Sequence, residues 1–350
     1  MRYLRLQSRH ERTTVFLAGG PIATRISQEG LGRTVVLDNN VGPLGQMREL
    51  LGVLRQADPD VIVSNSVRSG AFLSLPMFSR WSRILYVRQQ IDTASIGLSR
   101  ASAYRVIAGR HDGIMANSQW TRERVAAALQ KKPTEVAYPI SGVSVIDPAR
   151  TPTGGKIRLA VIARFQEWKG QLEAVRALAI VGRRGFGSYV DLTLAGGVVF
   201  GSRQFLERCQ EIAASCDSEV RFVGHVENVD DLLRSVDVLL HLPRIPEPFG
   251  QVVVQAMARG CVVVSEGKGG AGEILRGQPL AVYPKDSSPE AIADAIVGLV
   301  ESSFRGQWPG GVNVEALAPY LDAPAAGSFD SALVRLLGGT PDSFWDGQLR

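Results

Sequence analysis

"VDVLLHLPRIPEPFGQVVVQAMARGCVVVSEGKGGAGEI", residues 236–274, decides the fold. It reads as an apolar strand (236–242), a turn rich in Pro and Gly (246–250), an apolar helix (251–259) and a second apolar strand (261–266) that runs into a glycine cluster. Two short apolar runs joined by a helix form a strand–helix–strand crossover, which sets the strands parallel and buries both of their faces. Ligands of such sheets gather beyond the carboxyl ends of the strands, so the turn holding Glu247 and the glycines after residue 266 are where chemistry is expected.

The same grammar continues outward. "IRLAVIAR" (157–164), "VDLTLAGG" (190–197), "EVRFVG" (219–224) and "LAVYP" (280–284) are further strand candidates, with helices expected over 170–183, 202–215, 228–235 and 289–303. The first half repeats the pattern, with strands expected over 13–19, 34–38, 60–65, 83–89 and 113–118 and helical periodicity over 42–59 and 118–130, the latter opening at a Ser118 cap. Between the halves, the Pro/Gly/Ser/Thr-rich stretch from Pro139 to Lys156 breaks both patterns. The expectation is therefore an α/β chain of two doubly wound domains: 1–140, a linker at 141–156, and 157–320. The tail 321–350 holds a short helix candidate at 328–338 and is a candidate to pack back on the first domain.

Length and composition narrow the class. A chain of 350 residues accommodates two ordinary domains, and 45% hydrophobic with 21% charged residues is the make-up of a globular protein, not of a disordered chain or a coiled coil. No apolar run reaches the roughly 18–20 residues that cross a bilayer, and residues 1–12 lack the apolar stretch of a signal peptide, so a cytoplasmic location is expected. Cys209, Cys216 and Cys261 have no zinc spacing and are expected as idle thiols, while four scattered histidines argue against a His-built metal site. Residues 1–150 carry 20 Lys/Arg against 11 Asp/Glu, a balance of +9, and residues 151–350 carry 19 against 23, a balance of −4. A basic first half suits an anionic or lipid-linked acceptor, or peripheral contact with the inner face of an acidic membrane; without interleaved aromatics or a known module, nucleic acid is not expected as a partner. The 33 Arg against 6 Lys suggest a GC-rich bacterial genome.

Candidate chemistry sits at successive strand ends of the second half. "VIARFQEWKG" places Arg164 at the end of a strand and Lys169 at the start of a helix, so two cations and free helix N–H groups suit a phosphate or pyrophosphate. Gly196 and Gly197 of "AGG" allow close approach of a ligand or a neighbouring backbone. In "PEPFGQ" the N–H groups of Phe249, Gly250 and Gln251 open a helix toward an anion or a hydroxyl-rich ligand, next to the Glu247 carboxylate. "EGKGGAGEI" repeats the device, with Gly267, Gly269 and Gly270 leading into a turn that holds Glu273. Each glycine cluster alone also fits an ordinary turn.

The order R-x4-KG, AGG, DVLLHLP, EPFG-x4-QAMA and GGAGEI, dense over residues 157–275, resembles the retaining GT-B glycosyltransferases of family 4 (glycosyl transferases group 1), with a weaker similarity over 13–125. The resemblance implies two Rossmann-like domains facing a cleft and a retaining transfer of a sugar from a nucleotide-sugar donor to an acceptor hydroxyl, with no metal and no cofactor. It implies that Arg164 and Lys169 neutralise the donor diphosphate, that Glu247 and the N–H groups of Phe249 and Gly250 bind sugar hydroxyls, and that position 255 reaches the ribose. The family pattern has a second glutamate at 255, where this sequence has Gln255; the amide keeps one acceptor oxygen but loses the charge, at a cost of about 1–2 kcal/mol.

Two further departures concern the first domain. "TTVFLAGGPIATRISQEG" resembles the family's second strand and helix, so the first strand and helix are expected to be lacking, either because the natural chain starts upstream of Met1 or because the domain is reduced. The histidine that the family carries near the end of the fourth strand is replaced in "YVRQQID" by Arg88, Gln89 and Gln90, and Arg88 is a candidate contact to donor or acceptor. These departures keep two alternatives open: a non-catalytic nucleotide-sugar-binding module, and a sugar-nucleotide epimerase on the same fold.

Overall fold

The computed structural model describes residues 2–6, 11–89, 98–129, 132–148, 150–152, 155–198 and 203–339. The chain divides into two units, one built from residues 1–140 and 322–350, the other from residues 141–321.

In the first unit the strands are β1 (Thr13–Phe16), β2 (Arg33–Val36), β3 (Val61–Ser64), β4 (Ser82–Val87), β5 (Gly113–Ala116) and β6 (Thr134–Val136). All pairings are parallel, but β1 and β2 pair as one sheet and β3-β4-β5-β6 as another. Alternation along β4 shows how the larger sheet is covered. Ile84 packs with Met115, Ala332 and Leu333 against the helix Asp322–Leu336, whereas Leu85 and Val87 pack with Tyr104, Ala108 and Val125 of the helices Leu98–Gly109 and Gln119–Ala128. Period-two alternation and helices on both faces make this a doubly wound layer structure. The expected tail helix starts six residues earlier than its apolar periodicity indicates, at Asp322 rather than 328, because its first turns are alanine-rich and carry little hydrophobic signal.

Besides the short helix Arg2–Leu6 and the 3-10 turn Pro76–Phe78, three described elements of this unit lie outside the sequence expectations. The helix Val67–Leu73 is short and holds Gly70, but Ser66 caps it by accepting from Ser69 N at 3.1 Å. The helix Leu98–Gly109 buries only Ala101, Tyr104 and Ala108, two of them small, and β6 is a three-residue edge strand behind Pro133. Each is held by packing that its own sequence does not advertise.

The second unit has β7 (Ile157–Ile162), β8 (Val190–Ala195), β9 (Val220–Gly224), β10 (Val238–Leu240), β11 (Val262–Val264) and β12 (Ala281–Val282) in one parallel sheet of order β12-β11-β10-β7-β8-β9. The residues of β8, β10 and β11 are all buried, as continuous apolar runs covered on both faces should be. From β7 the chain adds β8 and β9 on one side; β10, β11 and β12 follow on the other. Strand order therefore reverses between β7 and β10. The loops leaving these two strands meet at the reversal point, the place where open α/β sheets bind ligands.

Candidate functional site

The loop after β7 carries Arg164 and Lys169, and the loop after β10 carries Glu247. Lys169 ends a single 3-10 turn, Glu167–Lys169, and Gly170 follows with φ +80°; a Cβ on Gly170 would lie 2.1 Å from the Leu242 carbonyl oxygen, so only glycine lets this loop lie against the residues that leave β10. Arg244 N donates to Trp168 O at 2.8 Å, and the Arg244 guanidinium lies 3.8 Å from Glu173, joining the two loops again. Buried Gln171 donates from Nε2 to the carbonyls of Ala163 (3.2 Å) and Arg164 (2.9 Å), which sets the turn that presents the Arg164 side chain to solvent.

The Lys169 ammonium forms an ion pair with Glu247 Oε1, with both side chains mostly buried, and lies 4.1 Å from the centroid of the Trp168 ring. Burial first, and the Arg164 guanidinium after it, push the Lys169 ammonium down to about 8. The second carboxylate oxygen, Oε2, is 3.2 Å from His241 Nε2. Burial, with the Lys169 charge behind it, pushes the His241 imidazole down to about 3, so the ring is neutral at physiological pH. The backbone of Glu247 is pinned as well. Gly270 N donates to Glu247 O at 2.8 Å, and a Cβ on Gly269 would come 2.2 Å from that same oxygen.

The other sequence candidates fall around this centre to different degrees. Gly196 and Gly197 lie just beyond β8, where Gly197 O accepts from Phe165 N at 3.1 Å. Phe249 is buried, its ring 6.0 Å from that of Tyr320, so its side chain packs and only its backbone faces the loop. Gly250 is the N-cap of the helix Gln251–Ala258, and Gln251 is that helix's first residue. Glu273 sits in the first turn of the short helix Ala271–Leu275, where a carboxylate is favourable against the helix dipole. Gln255 Nε2 donates to Ser141 O at 2.8 Å, a bond open to an amide but not to a carboxylate. Arg88 belongs to the first unit, just beyond β4, where it donates to Asn65 Oδ1 at 3.3 Å; Gln90 lies outside the described residues.

His241, Ser265, Trp168 and Arg244 are the residues of this centre that sequence reasoning missed. One signal was present: a titratable residue inside the apolar run "VLLHLP". Cys209 and Cys261 are buried and Cys216 half-buried, with burial pushing the Cys261 thiol up to about 12. Among the described residues no group of three or more His, Cys, Asp or Glu side chains is placed to hold a metal ion, and no helix is long and apolar enough to cross a membrane.

Comparison with known proteins follows the same division of the chain. Residues 156–302 match the family described as Glycosyl transferases group 1. Glycogen synthase of Mycobacterium tuberculosis is 33% identical over 149 residues, which are 41% of this chain and 34% of that protein; the match thus spans about a third of the curated relative's length. Among solved structures, Anabaena HepE, crystallised with UDP and glucose, superimposes with TM-score 0.76 at 19% identity over 95% of this chain and 94% of its own. Sucrose-phosphate synthase from Thermosynechococcus elongatus gives TM-score 0.72 at 17% identity over 88% of this chain and 84% of its own. At these identities the likeness is one of fold: the chain has the GT-B fold, built from two Rossmann-like domains.

Proposed function

We propose that this chain is a retaining, metal-independent glycosyltransferase that takes its sugar from a nucleotide-sugar donor. The observation that carries the reading is the pairing of Lys169 with Glu247 at the strand-order reversal, a cation and a carboxylate delivered by the two loops that meet there. A nucleotide sugar presents a diphosphate beside a polyol, so it needs a cation beside a hydroxyl acceptor. The group 1 family match over 156–302 and the UDP and glucose held by HepE, a protein of the same fold, support the same donor class.

In this reading Arg164, exposed to solvent, and the mostly buried Lys169 bind the diphosphate and stabilise the charge that builds on the leaving nucleotide. Their charge takes the place of a divalent ion. Glu247 and the N–H groups of Phe249 and Gly250 hold the sugar hydroxyls, Gly196, Gly197, Gly269 and Gly270 let the donor approach the backbone, and Gln255 reaches the ribose with its remaining carbonyl oxygen. The acceptor hydroxyl attacks on the face the nucleotide leaves, passing its proton to the departing phosphate oxygen, so no protein nucleophile is required. The basic first unit, Arg88 included, receives an anionic or lipid-linked acceptor at the inner face of a membrane.

The test is incubation with UDP-, ADP- and GDP-glucose and a set of acceptors, following release of nucleoside diphosphate and the anomeric configuration of the product by NMR. Product with the donor's configuration, formed equally in EDTA, is expected. An inverted product or dependence on a divalent ion would overturn the corresponding half of the reading. A second reading, a binding module without transfer, is favoured by one observation: the Gln255 amide is engaged with Ser141 O. It predicts donor binding with neither transfer nor hydrolysis.

A further inference from the structure

The imidazole of His241 has no place in the roles above, yet it is the inner neighbour of Glu247. It lies one residue beyond β10, buried between Ser265 Oγ, 3.3 Å from Nδ1, and Glu247 Oε2, 3.2 Å from Nε2. Ser265 Oγ accepts from Gly267 N at 3.2 Å. The ionised Glu247 carboxylate can only accept, so a neutral ring facing it carries its proton on Nε2. Nδ1 is then the acceptor and takes the Ser265 hydroxyl proton, while the same oxygen accepts from Gly267 N.

Two kinds of donor thus hold the two oxygens of Glu247. Lys169 is a counter-ion whose charge a bound diphosphate competes for; His241 is a neutral donor that orients the carboxylate without cancelling its charge. When an anionic donor draws on Lys169, the contact from His241 stays. We propose that His241 is a positioning residue that holds the Glu247 carboxylate in place for the hydroxyls of a donor sugar, and that Ser265 selects the tautomer with which it does so. This rests on the reading of Glu247 as a sugar ligand.

Calorimetric titration with whichever of UDP-, ADP- or GDP-glucose the wild type binds, set against the matching nucleoside diphosphate, tests the proposal. His241→Leu is expected to weaken the nucleotide sugar about tenfold, the effect of losing one hydrogen bond to a charged group, and to leave the diphosphate alone unchanged. His241→Gln, whose amide Nε2 can stand where the ring Nε2 stands, restores most of the difference, and Ser265→Ala shows a smaller loss confined to the sugar. Equal losses for nucleotide sugar and diphosphate, or no loss, overturn the proposal.

Imidazole ¹⁵N NMR on the unliganded protein decides His241 separately from the donor reading. Expected are a ring protonated on Nε2 alone from pH 5 to pH 8 and an Nε2 resonance that moves in Glu247→Gln. A cationic ring, a proton on Nδ1 or an unmoved resonance brings the positioning role down whatever the donor, whereas a wild type that binds no nucleotide sugar brings down the donor reading instead.

Discussion

The two units contain glycine clusters that look alike in sequence and differ in structure. "LAGGPIA" in the first unit and "KGGAGEI" in the second both follow an apolar strand and both open a helix. A Cβ on Gly20 would meet nothing within 4 Å, whereas one on Gly269 would strike the Glu247 carbonyl oxygen at 2.2 Å and its amide nitrogen at 2.9 Å. The first cluster is a turn. The second is a joint by which the loop after β11 grips the loop after β10, and it is there that Lys169, Glu247 and His241 meet. The sheets differ in the same sense: β7 to β12 form one continuous sheet in which β8, β10 and β11 are fully buried, while β1 and β2 pair apart from β3 to β6 and are at best half-buried. A strand-end motif acquires chemistry when its backbone is over-determined by neighbours, because only then are side chains held to within fractions of an ångström.

The contrast is sharpest for Gly269→Ala. The new methyl group cannot fit without displacing the Glu247 backbone and must also adopt φ +74°, so a loss of about 3 kcal/mol or more is expected in urea unfolding, together with loss of donor binding. Wild-type stability in this variant would remove the joint from the account.

Lys169→Ala comes next. Its kcat/KM with a nucleotide-sugar donor should fall by about 100-fold or more, as for removal of one preorganised electrostatic contact in other sites; unchanged kinetics would sink the diphosphate assignment. With its ammonium lowered to about 8, Lys169 is charged below that value and neutral above it, so donor affinity should decline as the pH rises through 8, and the decline should be absent from Lys169→Ala.

Gln255→Glu is more modest and has two parts. The carboxylate cannot donate to Ser141 O, so the folded state should lose about 1–2 kcal/mol. Binding of the nucleotide sugar should tighten about tenfold if position 255 reaches the ribose; a stability loss without tighter binding assigns Gln255 to fastening residue 141 alone. The smallest effect is that of Gly20→Ala, in extended backbone at φ 166° with open space around it, where a stability change within about 0.5 kcal/mol is expected. A large loss there would erase the contrast between the two clusters.

Much of this was legible from the chain. The alternation of apolar runs and helical periods placed eleven of the twelve strands found among the described residues, with most ends trimmed by one to three residues where the runs continue into loops. The positions of Arg164, Lys169 and Glu247 beyond strand ends were legible because residue type and strand periodicity are local; that Lys169 meets Glu247 was not. Gln255 was legible as a departure but not in its reason, since its partner Ser141 lies 114 residues away and contributes only a backbone oxygen.

The sequence by itself determined the α/β class, the parallel order implied by crossover helices, and the side chains available at each strand end, because periodicity and residue type are local properties. Tertiary structure alone decided that β10 neighbours β7, bringing Lys169 against Glu247; that Ser265 and a buried environment make His241 a neutral donor; and that the helix Asp322–Leu336 covers the sheet of the first unit. Those three depend on contacts between residues far apart in the chain and on the dielectric they create together, and no window of sequence contains either.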